Sequence, residues 1–418
     1  MKKLLVLTAI VSLSFSVFSQ EEIFIKESLV VNVEVPVRVF KKGTFVDNLT
    51  IDDFEVLENG KLQKIEAVYL VKNRAIERSE ENKRFFPETS RSFFLFFEVA
   101  EYRPKLGDAI LYFIHNVLVP GDSFIVVTPM QTYRLKDKAL KIYLREEIAN
   151  ELIKLLRKDA LTGNSEFRNA IQDLVYLTKS LSASLESGNL DSMQRPEALP
   201  KALDSTDSVK FAGLDLDEQL IHYEGLLHKL ETLRKVDQMK LLDFAKFLKD
   251  KEGQKYVFMF YQKEFIPQIE PRLFNQYMSI YQHRPDILST VSRLFDFHKR
   301  DISFNVDSVK QAYADSSVSI HFLFITRPKP IITEVHMQEH SEDIFVAFNE
   351  MAKATGGFAD SSANPAFLFQ KALEASENYY LLYYSPKNYE IDGKFKNIKV
   401  RVKNKNYRIT HRAGYFAN

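Results

Sequence analysis

Four stretches of this chain are apolar almost without interruption: residues 92–99 (SFFLFFEV), 123–128 (SFIVVT), 256–261 (YVFMFY) and 318–325 (VSIHFLFI). A strand with one face in water alternates polar and apolar residues. These do not, so each reads as a strand buried on both faces, which requires helices above and below the sheet. The intervening segments supply them. Residues 104–118 have helical periodicity, with Pro104 suited to a first turn. Residues 138–158, 166–182, 342–355 and 365–376 also read as helices. Leu220, Tyr223, Leu227, Leu230, Leu233, Met239, Leu242 and Phe247 recur at helical spacing across 215–250. Residues 183–213, rich in Ser, Asp, Gly and Pro, predict a loop. Strands alternating with helices predict an α/β doubly wound sheet.

The two flanks differ in kind. Residues 29–40 (LVVNVEVPVRVF) alternate, although Pro36 argues for an edge or a bulge there. Asn59-Gly60 is a strong hairpin signal before residues 62–71. Residues 73–91 are charged and read as a linker. Near the other end, 379–384 (YYLLYY), 394–402 (KFKNIKVRV) and 407–411 are β segments without intervening helices, and Asp392-Gly393 is a turn. The order β, α/β, β predicts one small antiparallel β-sandwich formed by the N- and C-terminal segments, with the α/β domain inserted. Two separate β appendages are the alternative. The expected boundaries are an N-terminal β segment at 20–75, a linker at 76–91, the α/β domain at 92–376 with a loop and helical insertion at 183–250, and a C-terminal β segment at 377–418.

A formal net charge of +1 gives no argument for nucleic acid or an anionic surface. The chain has no cysteine, which removes disulfides, thiolate metal sites and cysteine nucleophiles. Lys2 and Lys3 precede an apolar run over 4–18, too short to span a bilayer, with Val17, Phe18 and Ser19 where a signal peptidase reads. Residues 1–19 are therefore expected to be a signal peptide and the chain exported, periplasmic or secreted. An uncleaved anchor is the alternative. No integral membrane span is expected in the mature chain.

Several blocks resemble one family, the bacterial von Willebrand factor A-related proteins of acidobacterial type. Residues 35–65 (VPVRVFKKGTFVDNLTIDDFEVLENGKLQKI) resemble its N-terminal signature. FLFFEVAEYRPKLGDAI (94–110) with LVPGDSFIVVT (118–128), and GQKYVFMFYQKEF (253–265), resemble its central blocks. MAKATGGFAD (351–360) and residues 379–417, from YYLLYYSPKNYEIDGKF to RAGYFA, resemble its close. The resemblance implies a sheet with helices on both faces and a functional crevice beyond the carboxyl ends of the strands.

Members of that family with an active site hold a divalent cation in the crevice, through an Asp-x-Ser-x-Ser loop, a Thr and a later Asp. By resemblance, Glu98 takes the first Asp position with one more methylene. Ala100 stands at the first Ser and offers no oxygen, Glu101 follows it, and Tyr102 is too bulky at the second Ser. Ser165, in LTGNSEFRNAI, fits the Thr, and neutral Gln262 falls near the last Asp. Mg²⁺ wants six oxygens in near-octahedral order, so the site reads as degenerate: no cofactor is expected, and these six residues remain as a binding crevice. Glu98, without a cation, is expected to pair with Arg103, Lys105 or Arg168.

Residues 336–340 (HMQEH) spell H-x-x-E-H, an inverted zinc-protease motif. The enzyme reading needs both histidines on one helical turn and a third ligand, whereas Pro328 and Pro330 place the motif in a loop. Asp52-Asp53 reads as turn chemistry, and Gly356-Gly357 as a helix stop in preference to an anion cradle. The expectation is a non-enzymatic module that binds an envelope or extracellular protein, with self-association open. A self-assembling envelope component is the alternative, and a metal-dependent hydrolase using His336 and His340 the remote one.

Overall fold

β-Structure comes first. β1 (Val33–Lys41) and β2 (Thr44–Phe45) form a ribbon, and β3 (Phe54–Glu58), β4 (Lys61–Gln63), β5 (Ile65–Lys72) and β6 (Ala75–Glu81) follow. Asn59 and Gly60 join β3 to β4 with φ of 46° and 80°, the left-handed pair that Asn-Gly adopts in a two-residue hairpin. The middle of the chain then runs through β7 (Arg91–Glu98), α1 (Pro104–Asn116), β8 (Ser123–Val127), β9 (Thr132–Arg134), α2 (Ala139–Ile142), α3 (Arg145–Gly163), α4 (Ser165–Glu186), α5 (Leu216–Arg234) and α6 (Gln238–Lys249). It continues with β10 (Gln254–Gln262), β11 (Phe265–Gln268), α7 (Pro271–Ile280), α8 (Pro285–Phe297), α9 (Val306–Asp315), β12 (Val318–Ile325), β13 (His336–Glu339), α10 (Glu342–Ala354), β14 (Ala359–Ser362) and α11 (Pro365–Glu377). β15 (Asn378–Tyr384), β16 (Phe395–Val402), β17 (Arg408–His411) and β18 (Gly414–Phe416) close it.

The structure, a computed structural model, describes residues 31–136, 138–186, 211, 213–297, 304–387 and 389–418. The segment read as a signal peptide, 1–19, and most of the loop at 183–213 lie outside them. No helix among the described residues is long and apolar enough to cross a membrane.

The four apolar runs lie side by side in a mixed α/β core. The sheet order is β14-β12-β10-β7-β8-β9. β14, β12, β10, β7 and β8 are parallel, and β9 is antiparallel on the edge. Alternate residues face opposite ways. Phe93, Leu95, Phe97, Phe258 and Phe260 meet α1, α3 and α11 on one side. Phe94, Val257, Ile320, Phe322 and Phe324 meet α6, α9 and α10 on the other. Each buried phenylalanine contributes about 1.5–3 kcal/mol, so these strands are uniformly apolar because both of their faces are covered.

A second core lies among α4, α5, α7 and α8; of the helices in the segment expected as an insertion, 183–250, α5 belongs to it and α6 packs on the central sheet. Leu174, Leu177 and Leu181 of α4 pack with Tyr223, Leu227 and Leu230 of α5, Tyr277 of α7 and Val291 of α8. Ala100, just beyond β7, belongs to this cluster. Tyr223 donates its hydroxyl to the Pro267 carbonyl at 2.9 Å, and Tyr277 to that of Leu181 at 3.1 Å, so the buried phenols are satisfied.

Strands from the two ends of the chain interleave. β15 lies between β1 and β5, antiparallel to both, with Val35 opposite Leu382 and Tyr69 opposite Leu381. β16 pairs with β3, Val400 opposite Val56. The sheets are β17-β1-β15-β5-β6, with β2 on β1, and β18-β16-β3-β4. Tyrosines tie them together. The Tyr380 ring meets Phe54 edge-on at 5.1 Å, its hydroxyl accepts from the Leu49 N–H at 3.0 Å and donates to the Val46 carbonyl. Glu58 accepts from the Tyr384 and Tyr415 hydroxyls at 2.7 and 2.9 Å.

One expectation is corrected and another is met. The charged segment read as a linker contains β6, which pairs with β5 from Ala67↔Glu81 to Lys72↔Ala75. It is an edge strand and mostly exposed, so it lacks the apolar alternation that marks half-buried strands. At Pro36 β1 is locally an edge, as expected there, although farther along it has β15 on one side and β17 on the other. Pairing with β17 begins only at Val37, so at Pro36 a neighbour is present on one side alone, which is where a missing N–H is tolerated.

Candidate functional site

β7 is the first strand of the central sheet, with β8 on one side and β10 on the other. β8 and β9 follow on one side of β7, and β10, β12 and β14 on the other, so the sheet order reverses between β7 and β10, where open α/β sheets commonly bind ligands. Glu98 at the end of β7 lies opposite Tyr261, next to Gln262 at the end of β10.

The loop that leaves β7 is pinned from three directions. The Glu101 N–H donates to Gln262 Oε1 at 3.0 Å. Arg327, beyond β12, donates through Nη1 to Glu101 Oε1 at 3.0 Å and through Nε to the Lys263 carbonyl at 2.7 Å. Asn164, between α3 and α4, donates through Nδ2 to the Val99 carbonyl at 3.0 Å and to that of Ala160 at 3.1 Å. Arg168 bonds the carbonyls of Ala100 and Ala160 at 3.3 and 3.1 Å.

A buried ion pair completes the site. Arg234, the last residue of α5, meets Glu264 at 2.7 Å with both side chains nearly enclosed. Its guanidinium stacks over the Phe167 ring at 4.0 Å and reaches Asn164 Oδ1 at 3.4 Å. Arg is suited to such a place because its planar group pairs a carboxylate and stacks on a ring together. Glu98 is exposed at the end of β7, yet neighbouring protein crowds its carboxyl. Desolvation pushes its carboxyl above the ordinary glutamate range. The Arg234 charge opposes that rise and Glu264 adds to it.

Of the six residues expected at the crevice, Glu98, Glu101 and Gln262 gather there. The other three are placed differently. Ala100 is buried beneath the helical cluster. The Tyr102 hydroxyl lies over Gly107 of α1, at 2.7 Å from where a Cβ would stand, so it turns toward that helix. Ser165 begins α4, and the side chain that reaches the β7 loop is that of the preceding Asn164. The cation that acts on Glu98 is Arg234, not Arg103, Lys105 or Arg168. Arg234, Glu264, Asn164 and Phe167 escaped the sequence reading, because pairing over such distances leaves no local signature.

These groups do not suit a divalent cation. Gln262 Oε1 is engaged by a backbone N–H, Ala100 has no oxygen, and a guanidinium already supplies positive charge beside Glu98. Among the described residues no three His, Asp or Glu side chains converge as a metal ion needs.

The other singled-out residues have structural places. Residues 336–339 form β13, antiparallel to β11, and not a loop. The strand spreads His336 and His340 over roughly 13 Å, so they do not stand on one helical turn as the motif requires. Thr50 N–H donates to Asp53 Oδ2 at 2.8 Å, closing a turn. Gly356, at φ 71°, and Gly357 end α10 with N–H bonds to the Lys353 and Ala352 carbonyls, the Schellman arrangement. Asp159 accepts from the Thr128 and Tyr133 hydroxyls at 2.6 and 2.7 Å. Desolvation and then that carboxylate push the Tyr133 phenol up to about 12.

No protein-family model and no curated protein matches this chain. Among solved structures it has weak similarity to the human COPII-coat protein Sec24c, at 8% identity and a TM-score of 0.27, over 86% of this chain and 46% of that one. It thus spans about half the length of that protein. A second similarity is to the N-terminal domain of TFIIH p34, at 10% identity and a TM-score of 0.22, over 69% of this chain and 97% of that one. Likeness at these scores carries no argument about fold family or function.

Proposed function

We propose that this chain is an exported, non-enzymatic interaction protein, in which a von Willebrand factor A-like doubly wound domain engages a protein partner at the Glu98 crevice without a bridging cation. The observation that carries the reading is the Arg234–Glu264 pair beside Glu98 at the reversal point of the sheet. A cation-bridged crevice needs oxygen donors free to coordinate; this one is filled by the protein's own guanidinium and carboxylates. Partner binding then relies on hydrogen bonds and charge already in place, with Glu98 and Glu101 as acceptors at the mouth. The β-structure built from both chain ends acts as spacer or second docking surface.

The test is crosslinking and capture with residues 20–418 expressed in the periplasm of a related host, beside Glu98→Lys. The expected result is one enriched envelope or extracellular protein, kept in EDTA and reduced at least tenfold with Glu98→Lys. A capture that needs Ca²⁺ or Mg²⁺, or that returns only the chain itself, would sink this reading.

A further inference from the structure

α3 buries one stripe and leaves the opposite one open. Ala149, Leu152, Leu156 and Ala160 face the sheet and α1. Asn150, Ile153, Lys154, Arg157, Lys158 and Leu161 line a furrow of about 450 Å³ along the outer face. Leu161 is 64% exposed at one end of this helix, and Tyr143 and Leu144 are 59% and 70% exposed at the other. Single exposed apolar residues need no explanation; two sets at opposite ends of one helical stripe form a pattern.

The charges on that stripe divide by sign. Glu146, Glu147 and Glu151 occupy the N-terminal half, and Lys154, Arg157 and Lys158 the C-terminal half, all exposed. Glu151 and Lys154 are 3.6 Å apart, whereas Arg157 and Lys158 make no ion pair with any described residue. Helical rotation of about 100° per residue sets Glu147, Glu151, Lys154, Lys158 and Leu161 on one line, with Glu146 and Arg157 to one side of it. A stripe that is acidic at one end and basic at the other is complementary to itself when reversed.

We infer that a second copy of this chain covers this face, α3 packing antiparallel against α3 about a two-fold axis between Glu151 and Lys154. In that arrangement Lys158 faces Glu147, Arg157 faces Glu146, and Leu161 lands on Tyr143 and Leu144 of the other copy, each contact made twice as an isologous interface requires. The furrow receives the opposing ridge of side chains. An anionic membrane fits less well, because Glu146, Glu147 and Glu151 would meet like charge. The contact uses none of the crevice residues, so it stands or falls separately from the proposed partner site.

Sedimentation velocity of residues 20–418 at tens of micromolar tests this with paired charge reversals. One variant carries Arg157→Glu and Lys158→Glu, the other Glu146→Lys and Glu147→Lys, and thermal melts confirm that each is folded. The expected result is a dimer for the unaltered chain, at least tenfold weaker association for each variant alone, and recovery of the dimer when the two are mixed. High salt also weakens the unaltered dimer, and Leu161→Ser alone weakens association. A monomer at 100 µM, a dimer indifferent to either reversal, or two variants that fail to rescue each other would overturn the inference. So would binding to phosphatidylglycerol vesicles by a chain that stays monomeric.

Discussion

Arg234 and Glu264 meet at 2.7 Å, one at the end of α5 and the other just beyond β10, and the pair fixes the helical cluster to the sheet beside Glu98. Removing one partner of a buried ion pair leaves the other charge uncompensated, at about 3–5 kcal/mol. Glu264→Ala should fall at the lower end, near 3 kcal/mol, because Glu98 still offsets part of the Arg234 charge. Urea unfolding at pH 7 measures it, and a loss below about 1 kcal/mol would mean that the pair is solvated in solution.

Glu98→Gln should act in the opposite direction. A carboxyl held above its ordinary range opposes ionisation in the folded state. Its penalty is absent at low pH and grows as pH rises through the folded value. The glutamine variant should therefore melt higher than the parent at pH 7.5 and equally at pH 4. Equal melting at both would show that Glu98 is freely hydrated.

Two histidines, His321 buried and His411 half-buried, predict acid sensitivity. His321 Nδ1 accepts from the Phe358 N–H, and Nε2 faces Ser376 Oγ, which donates to the Ala372 carbonyl. His411 Nε2 accepts from the Val400 N–H. Burial holds both rings neutral, His321 well below the usual histidine range with Arg38 adding to the effect. Below about pH 6.5 the unfolded chain takes up protons that the folded chain refuses, so stability falls as pH drops, by up to about 1.4 kcal/mol per pH unit for each histidine. Urea midpoints between pH 8 and pH 5 report the slope. A flat profile there would contradict the neutral assignment.

Gly357→Ala should be among the most damaging single changes. A Cβ at that position would lie 1.8 Å from the Ile320 carbonyl oxygen, inside the central sheet. The expected loss is at least about 3 kcal/mol, seen as a lowered melting temperature. Gly43→Ala, with open space around its Cβ, is the comparison, and any cost there comes only from its φ of 90°.

What the sequence disclosed follows from how far each signal reaches. Residues 92–99, 123–128, 256–261 and 318–325 announced themselves because burial on both faces leaves an uninterrupted apolar run, and all four became neighbouring parallel strands. Asn59-Gly60 was legible because its backbone chemistry is local. β6 was not, since an exposed edge strand such as AIERSEE is composed like a linker. Within the crevice, Glu98 and Gln262 could be placed because strand ends are positioned by the sheet. Arg234 arrives from a helix whose sequence shows only its own amphipathicity, and Ser165 was chosen where Asn164 carries the contact, a slip of one residue at a helix junction.

The position of β15 between β1 and β5 also bears on how the molecule is made. While the chain is being synthesised, β1 and β5 leave the ribosome early with a vacant slot between them, and its occupant emerges some three hundred residues later. Until then β1 and β5 lack the strand that joins them, so this sheet closes only across a long separation in sequence, the kind of contact that slows folding.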